Sequence, residues 1–174
     1  MKAPFAIVIG VLLASAVGYA SWQVPAPKVE HATIAQPTSP TLVLAGWVTD
    51  AANLLTPAEE VTLSKRLAAF EARTGHQLVV VTVPTLNGQN VAKYSLALAI
   101  RWGIGRKGYN DGLMLLVAPN ERKVRIEVGL GLERALPDAL CAKILQDDVL
   151  PRFRDGDYPT GINAGVTALM SHSP

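Results

Sequence analysis

The chain has 174 residues, of which 49% are apolar and 17% charged, and its formal net charge is +2. This length suits one ordinary domain with short additions and is sufficient to bury a hydrophobic core, although much of the apolar excess lies in the first twenty residues. A charge so close to zero argues against the basic surface that binds nucleic acid. The single cysteine, Cys141, excludes an intramolecular disulfide and lies in an apolar run typical of core packing.

Residues 3–20 form a nearly unbroken apolar stretch after the positive charge of Lys2. Such a stretch is typical of a secretory signal peptide that is cleaved after small residues. It is also about long enough to remain as a membrane anchor. Both alternatives predict a domain in the periplasm or another extracytoplasmic compartment, and the membrane is contacted only through 3–20 if that segment is uncleaved.

A Pro-rich segment separates residues 1–20 from the rest of the chain. Over 21–44 the sequence has little periodicity and contains four prolines: Pro25, Pro27, Pro37 and Pro40. This composition is typical of an extended tether. We therefore expect a single folded domain over 45–174.

The first helix has clear signals at both ends. Thr56, Pro57 and Glu59 together are typical of a capped helix start, and Gly75 is expected to end the helix. Apolar residues at helical spacing predict its buried face: Leu63, Leu67 and Phe70.

Two strands and a second helix follow. The continuous apolar run 77–83 predicts a central strand covered on both faces, and Pro84 ends it. Asn90 is expected to cap a helix that extends to about Arg101. The run 113–118 then predicts a second strand.

A turn at 119–122 leads into 123–128, where apolar and charged residues alternate. We expect an antiparallel hairpin whose second strand lies at an exposed edge. Two helices complete the predicted domain, one from the cap Asp138 to about Asp148 and one over about 160–171. The element order indicates an α/β fold, a three-layer α/β/α sandwich around a small mixed sheet.

The sequence 103–108 matches the pattern G-x-G-x-x-G of dinucleotide sites. In such sites the glycines follow a strand and open a helix, whereas here they follow a predicted helix and precede a predicted strand. We therefore predict a tight glycine loop and no nucleotide cofactor.

Other motifs also lack the context that their chemistry requires. The three histidines lie in the tether, at a helix–strand turn and near the C-terminus, which argues against a histidine-based triad: His31, His76 and His172. Asp155 and Asp157 resemble the start of a calcium-binding loop, but Val166 stands where an EF-hand needs an acid. A turn before the last helix explains these two acids better.

One set of acids is a candidate metal site. The predicted hairpin returns Glu127 and the glycines after it to the side where Asp111 enters its strand, and Asp50 lies close enough along the chain to join them. Carboxylates near exposed carbonyls suit Ca²⁺ or Mg²⁺. The alternative is that these acids serve only in a turn and on a solvated edge.

Several segments, in order along the chain, resemble one known family. They are Gly46–Asp50, Leu55–Glu59, Thr74–Gln77, Trp102–Gly105, Asn110–Gly112, Arg125–Gly129 and Arg154–Tyr158. Together they resemble the TPM-domain family, named for a thylakoid-lumen protein, a photosystem II repair factor and a receptor modulator. The resemblance covers nearly all of 46–170. It implies a four-stranded α/β/α sandwich on the lumenal, periplasmic or extracellular side of a membrane.

The resemblance implies two functions. Some plant relatives act as acid phosphatases, and some bacterial relatives bind divalent cations at Asp-rich loops, which here correspond to Asp50, Asp111 and, less closely, Glu127. Many bacterial members continue into a second membrane helix and a Gly-rich tail, whereas this sequence stops at Pro174.

In the first hypothesis the domain is a cation-binding interaction module that assists a membrane-protein complex or another envelope protein. In the alternative it is a metal-dependent phosphatase, in which Arg106 or Lys107 offsets charge on a phosphoryl group. The first is preferred because no general base or nucleophile is evident in the sequence.

Overall fold

The structure is a computed structural model that describes residues 42–174. The elements in chain order are β1 (Val48–Asp50), α1 (Pro57–Thr74), β2 (Gln77–Thr82), α2 (Val91–Trp102), β3 (Gly112–Ala118), β4 (Lys123–Val128), α3 (Asp138–Ile144), a π-helical turn (Leu145–Val149), α4 (Leu150–Arg154) and α5 (Tyr158–His172). Within 42–174 no helix combines the length and apolar character needed to cross a bilayer. The predicted signal or anchor and nearly all of the predicted tether lie outside the described residues.

The four strands form one mixed sheet in the order β1-β2-β3-β4. The first three are parallel, and β4 runs antiparallel to β3 at the edge, as the hairpin prediction required. The turn is closed by the Arg122 amide, which donates to the Pro119 carbonyl at 3.0 Å. Strand β1 has only three residues, too few for a periodic pattern to show in the sequence.

Helices cover both faces of the sheet, which confirms the predicted sandwich. One face packs against α1 and α5 through fully buried side chains: Leu63, Leu67, Phe70, Ile162, Val166 and Leu169. The other face is covered by α2, whose Leu98 packs on alternate residues of β2 and β3: Val79, Val81, Met114 and Leu116. Each fully buried large apolar side chain contributes roughly 1.5–3 kcal/mol to folding.

The capped helices begin and end where the sequence indicates. In α1 the Glu59 amide donates to the Thr56 hydroxyl at 3.3 Å, and the Thr56 amide donates to the Glu59 carboxylate at 2.7 Å. Gly75 ends α1 with φ of 76°. Asn90 caps α2 by accepting from the amides of Ala92 and Lys93. These side chains satisfy the amides that the first helical turn leaves without partners.

The helix predicted to begin at the cap Asp138 differs in detail. Pro137 is the cap residue, and Asp138 is already helical. After Ile144 the chain makes a π-helical turn and resumes as α4 at Leu150. Pro151 explains the interruption, because proline has no amide hydrogen to continue a regular α-helix. Helix α5 begins at Tyr158, since Asp157 accepts from the Thr160 amide at 3.1 Å and so caps the helix.

Candidate functional site

Asp50 is the last residue of β1 and connects the sheet to α1. Its Oδ1 accepts from the Leu54 amide at 3.1 Å and from the Thr82 hydroxyl, and its Oδ2 accepts from the Leu55 amide at 2.8 Å. Because Asp50 pairs with Thr82, it lies at the carboxyl end of the parallel strands. Its carboxylate thus fixes the loop that leads into the first helix.

Asp111 lies at the opposite end of the sheet, directly before β3. Its neighbour Gly112 pairs with Gln77, the first residue of β2. Oδ1 accepts from the Arg106 amide at 2.7 Å, Oδ2 accepts from Arg106 Nε at 2.7 Å, and His76 Nδ1 lies 3.4 Å from Oδ2. Asp111 is only 3% exposed. Burial alone would raise the pKa of Asp111, but the bonds from Arg106 and His76 outweigh it and hold the pKa below its ordinary value.

Glu127 lies on β4 opposite Met114, towards the same end of the sheet as Asp111. It accepts from the Ser95 hydroxyl at 2.6 Å and from Arg125 Nε at 2.7 Å. Ser95 belongs to α2, so this carboxylate ties the edge strand to the helix above it. Glu127 and Asp111 have no bonding partner in common among these contacts.

The structure brings two of the three predicted metal ligands to one end of the sheet and places Asp50 at the other. The hairpin does return β4 to the start of β3, since the Gly129 amide donates to the Gly112 carbonyl at 2.8 Å. Asp50 cannot share an ion with Asp111, because parallel pairing of β1, β2 and β3 puts their carboxylates at opposite strand ends. Within 42–174 no three acidic, histidine or cysteine side chains are arranged to hold a metal. Cation binding by these acids stays a prediction.

His76 belongs to the same group as Asp111, although the sequence argument set it aside. A signal for this contact exists: His76 directly precedes β2 and Asp111 directly precedes β3. Adjacent parallel strands begin at the same edge of a sheet, so residues just before them are neighbours. Arg106 completes the group, and its guanidinium carbon lies 4.4 Å from the centre of the Tyr109 ring. This buried carboxylate therefore holds an imidazole and a guanidinium in place.

Glycines allow two loops, 103–112 and 129–131, to pack closely. Of the rejected nucleotide motif Gly105 takes part, whereas a Cβ at Gly103 or Gly108 would meet nothing within 4 Å among the described residues. A Cβ at Gly105 would lie 2.4 Å from the Gly112 nitrogen, and one at Gly129 would lie 2.1 Å from the Asn110 carbonyl oxygen. Gly131 approaches the Tyr109 carbonyl equally closely. Only glycine permits such contact of backbone with backbone.

A largely apolar groove of about 720 Å³ lies between α2 and the second of these loops. Its walls include three large apolar side chains that face solvent: Leu96 (49% exposed), Ile100 (71%) and Leu130 (72%). Cationic side chains lie on α2 and in the adjoining loop, namely Lys93, Arg101 and Lys107, and α2 contains no acidic residue. Two acids also line the groove: the exposed Glu133, and Glu127, whose carboxylate is bonded to Ser95 and Arg125.

Comparison with known proteins identifies the family. The profile described as "TPM domain" matches residues 48–172. An N-terminal domain from P. gingivalis, solved in solution, is 38% identical, covers 72% of this chain and 80% of its own, and superposes with a TM-score of 0.68. A search of curated proteins finds no match.

Two further solved structures show the same fold at 17% identity. The N-terminal domain of cg2496 from Corynebacterium glutamicum covers 76% of this chain and 82% of its own, with a TM-score of 0.59. BA42 from Bizionia argentinensis covers 69% and 84%, with a TM-score of 0.56. Because the profile match extends over most of the chain, and the P. gingivalis domain is 38% identical over 72% of it, this protein belongs to the TPM-domain family.

Proposed function

We propose that this protein is an extracytoplasmic interaction module that binds an envelope protein or a membrane-protein complex through the groove on α2. The observation that carries the proposal is the exposed apolar surface formed by Leu96, Ile100 and Leu130. Soluble domains rarely leave large apolar side chains clustered in a concave surface unless something covers them. The apolar segment 3–20 supports placing the domain outside the cytoplasm.

The chemistry of the groove favours a protein segment that carries apolar side chains between carboxylates. Lys93 and Arg101 flank the apolar side chains along α2, and Lys107 lines the groove itself. Cations at a rim steer an acidic partner to the surface, and the buried apolar contacts then hold it. A neutral or basic segment would fit this rim less well.

Site-specific photo-crosslinking tests the proposal in cells that produce the full chain. A photoreactive side chain in place of Ile100 should crosslink to an envelope protein. The matched control is Val61, which is 53% exposed but lies on α1, on the other side of the sheet. Crosslinking from both positions alike, or from neither, would contradict the proposal.

Charge reversal sharpens the same experiment. Changing Lys93→Glu and Arg101→Glu should weaken crosslinking from position 100, because an acidic partner would then be repelled. The double change Lys65→Glu and Arg73→Glu on α1 removes equal charge from the opposite face and should leave crosslinking intact. A partner that binds equally well after both double changes is not acidic.

The divalent cation predicted from the sequence is part of the same proposal. If Ca²⁺ or Mg²⁺ binds the folded chain, millimolar metal must raise the melting temperature. The free energy of unfolding rises by about 2.7 kcal/mol when the free metal concentration is a hundred times Kd. Single changes at Asp50, Asp111 and Glu127 would then show which end of the sheet holds the ion. An unchanged melting temperature with both metals would remove the cation from the proposal.

A second candidate, a phosphatase, is favoured by the group of His76, Asp111 and Arg106. A histidine held by a carboxylate beside a guanidinium is chemistry suited to phosphoryl transfer. Hydrolysis of p-nitrophenyl phosphate by the full chain tests it, with and without Mg²⁺ or Ca²⁺. The enzyme is supported if His76→Gln abolishes hydrolysis and His172→Gln does not. No hydrolysis by the unaltered chain in any of these conditions would exclude this candidate for simple esters.

A further inference from the structure

A second cavity, of about 470 Å³, lies at the carboxyl end of β3, away from the groove on α2. It is formed by the end of the β3–β4 hairpin and by the turn that joins α4 to α5. Alternate residues of the segment 154–158 line it: Arg154, Gly156 and Tyr158. This segment helped to identify the family, but neither proposed function uses it.

The walls of the cavity are apolar and aromatic. Its apolar lining comes from both sides of the cleft: Val117, Val124, Leu150, Phe153 and Tyr158. The Phe153 and Tyr158 rings contact each other with their centres 4.9 Å apart. Phe153 also lies tightly on α5, where a Cβ at Gly161 would be 2.5 Å from its Cε1. The aromatic wall is therefore held in place before any ligand arrives.

The mouth of the cavity is cationic. Arg122, Lys123 and Arg154 are all exposed and all line it, and within 42–174 no acidic residue does. Among the described residues none of these three cations forms an ion pair. Of the acids nearest along the chain, Asp155 is exposed and does not line the cavity, and two others are bonded elsewhere. Glu121 accepts from the Leu86 amide at 2.9 Å and from the Thr85 hydroxyl, and Asp157 caps α5.

We propose that this cavity binds a small amphiphilic anion, with an oxyanion group at Arg122, Lys123 and Arg154 and a flat apolar body against Phe153 and Tyr158. Three cations without an acidic partner, at the edge of an apolar pocket, match a carboxylate or phosphate carried on such a body. The cations would bind the oxyanion, and the apolar wall would contact the rest of the ligand. The volume is within the range of small-molecule sites. Its place at the carboxyl end of a parallel strand agrees with where ligands bind in α/β sheets.

Direct titration of the full chain distinguishes a ligand that carries a carboxylate from one that carries a phosphate. The probes are 3-phenylpropionate, phenylphosphonate, the neutral 3-phenylpropionamide and inorganic phosphate, followed by backbone amide shifts. We expect one or both aromatic anions to shift amides in 117–124 and 150–158 and to bind more tightly than either the neutral amide or inorganic phosphate. Whichever aromatic anion binds more tightly identifies the carboxylate or the phosphate as the preferred group.

Charge-removing variants test the assigned cations. Arg122 has a φ of 52°, so Arg122→Asn removes the charge with a residue that favours this backbone. Combined with Arg154→Gln it should weaken binding of the tighter probe about tenfold or more. Lys65→Gln on α1 is the control, because it removes an exposed charge that does not line the cavity. Melting temperatures report whether each variant is folded.

Three outcomes would overturn the proposal. The first is a neutral amide that binds as tightly as the anions. The second is a charge-removing double variant that is folded and loses no more affinity than Lys65→Gln. The third is a set of shifts spread over the whole surface, which would indicate only general attraction of anions. Phe153→Leu gives an independent check, since a folded variant without the ring should bind the aromatic probes more weakly.

Discussion

The two ends of the parallel strands differ in whether their charged side chains are paired. At the amino end the carboxylate of Asp111 is buried and is bonded to Arg106 and His76, while the glycine loops pack backbone against backbone. At the carboxyl end Asp50 organises the start of α1, but the cations around the second cavity have no acidic partner among the described residues.

The difference separates charges that hold the fold from charges that remain available. A buried carboxylate that is bonded to two residues through both oxygens contributes to stability and has few free lone pairs for a ligand. Exposed cations at the mouth of an apolar cavity contribute little to stability and keep all their donors free. We therefore expect substitutions at the amino end to lower the free energy of unfolding and those at the cavity to alter binding alone.

The largest effect that sharpens this contrast is expected at Gly129. Changing Gly129→Ala places a Cβ 2.1 Å from the Asn110 carbonyl oxygen, so the two loops must separate. We expect a loss of about 3 kcal/mol or more in the free energy of unfolding, measured by urea denaturation. Gly108→Ala in the same region is the control: its Cβ meets nothing within 4 Å, and its φ of 84° alone should cost about 1 kcal/mol. Equal losses would show that the loops do not pack as described.

Asp111→Asn should have the next largest effect. The side-chain NH2 group of asparagine is a donor and would face the donors of Arg106. At least one of the charge-assisted hydrogen bonds from Arg106 is therefore lost at a buried site. We expect a loss of about 2–3 kcal/mol at neutral pH. Glu127→Gln, at a less buried carboxylate, should cost about 1 kcal/mol. If the two variants unfold at the same urea concentration, Asp111 does not have the structural role assigned to it.

The pH dependence of stability tests the same carboxylate. Because the folded-state pKa of Asp111 is lowered, its stabilisation is present above the unfolded-state pKa of about 3.9 and is lost as pH falls through the folded-state value. The difference in unfolding free energy between the unaltered chain and Asp111→Asn should therefore shrink below about pH 4. A difference that stays constant between neutral and strongly acidic pH would argue against a depressed pKa.

Asp50→Asn should have a smaller effect at the carboxyl end. Among the described residues the Leu55 amide is the one donor to its Oδ2, and an amide nitrogen in that place cannot accept the hydrogen. The loss should resemble that of a helix-cap substitution, about 1 kcal/mol. The exposed Asp155, changed to Asn, is the control and should leave the unfolding free energy within about 0.5 kcal/mol. A larger loss of unfolding free energy at position 155 than at position 50 would show that Asp50 does not stabilise the start of α1.

The smallest effect on stability is expected at the groove. The double change Leu96→Ser and Ile100→Ser removes apolar groups that already face solvent, so the unfolding free energy should change by less than about 0.5 kcal/mol for each. Crosslinking of a partner from Leu130 should nevertheless fall. A clear drop in melting temperature would mean that these side chains contribute to the fold rather than to binding.

Local signals made most of the fold predictable. The capping residues Thr56 and Asn90 fixed the starts of two helices, and alternation in 123–128 fixed an edge strand. Strand β1 was not predicted from the residues, because three residues carry no period; the family resemblance implied a fourth strand without placing it. The π-helical turn before Pro151 was missed because the apolar pattern continues through it.

The candidate sites were harder to predict, because they depend on register between distant segments. Asp50 is near α1 in sequence, yet only parallel pairing with Thr82 shows that it lies at the end away from Asp111. The cavity at β3 joins residues near 122 to residues near 154, and no local pattern in the sequence brings those segments together. The sequence shows that Leu96 and Ile100 are apolar residues of α2. Their exposure depends on which face of the helix packs against the sheet, and only the structure shows that.

Helix α2 by itself closes one side of the sheet, and this couples recognition to folding. Leu98 points inward while Leu96 and Ile100, one helical turn apart, point outward. A molecule that binds the outer surface of α2 binds only while the helix is packed on β2 and β3. By mass action it therefore lowers the population of states in which α2 is detached from these strands. The protein with and without a bound partner should therefore differ most in amide exchange at β2 and β3, the strands that α2 covers.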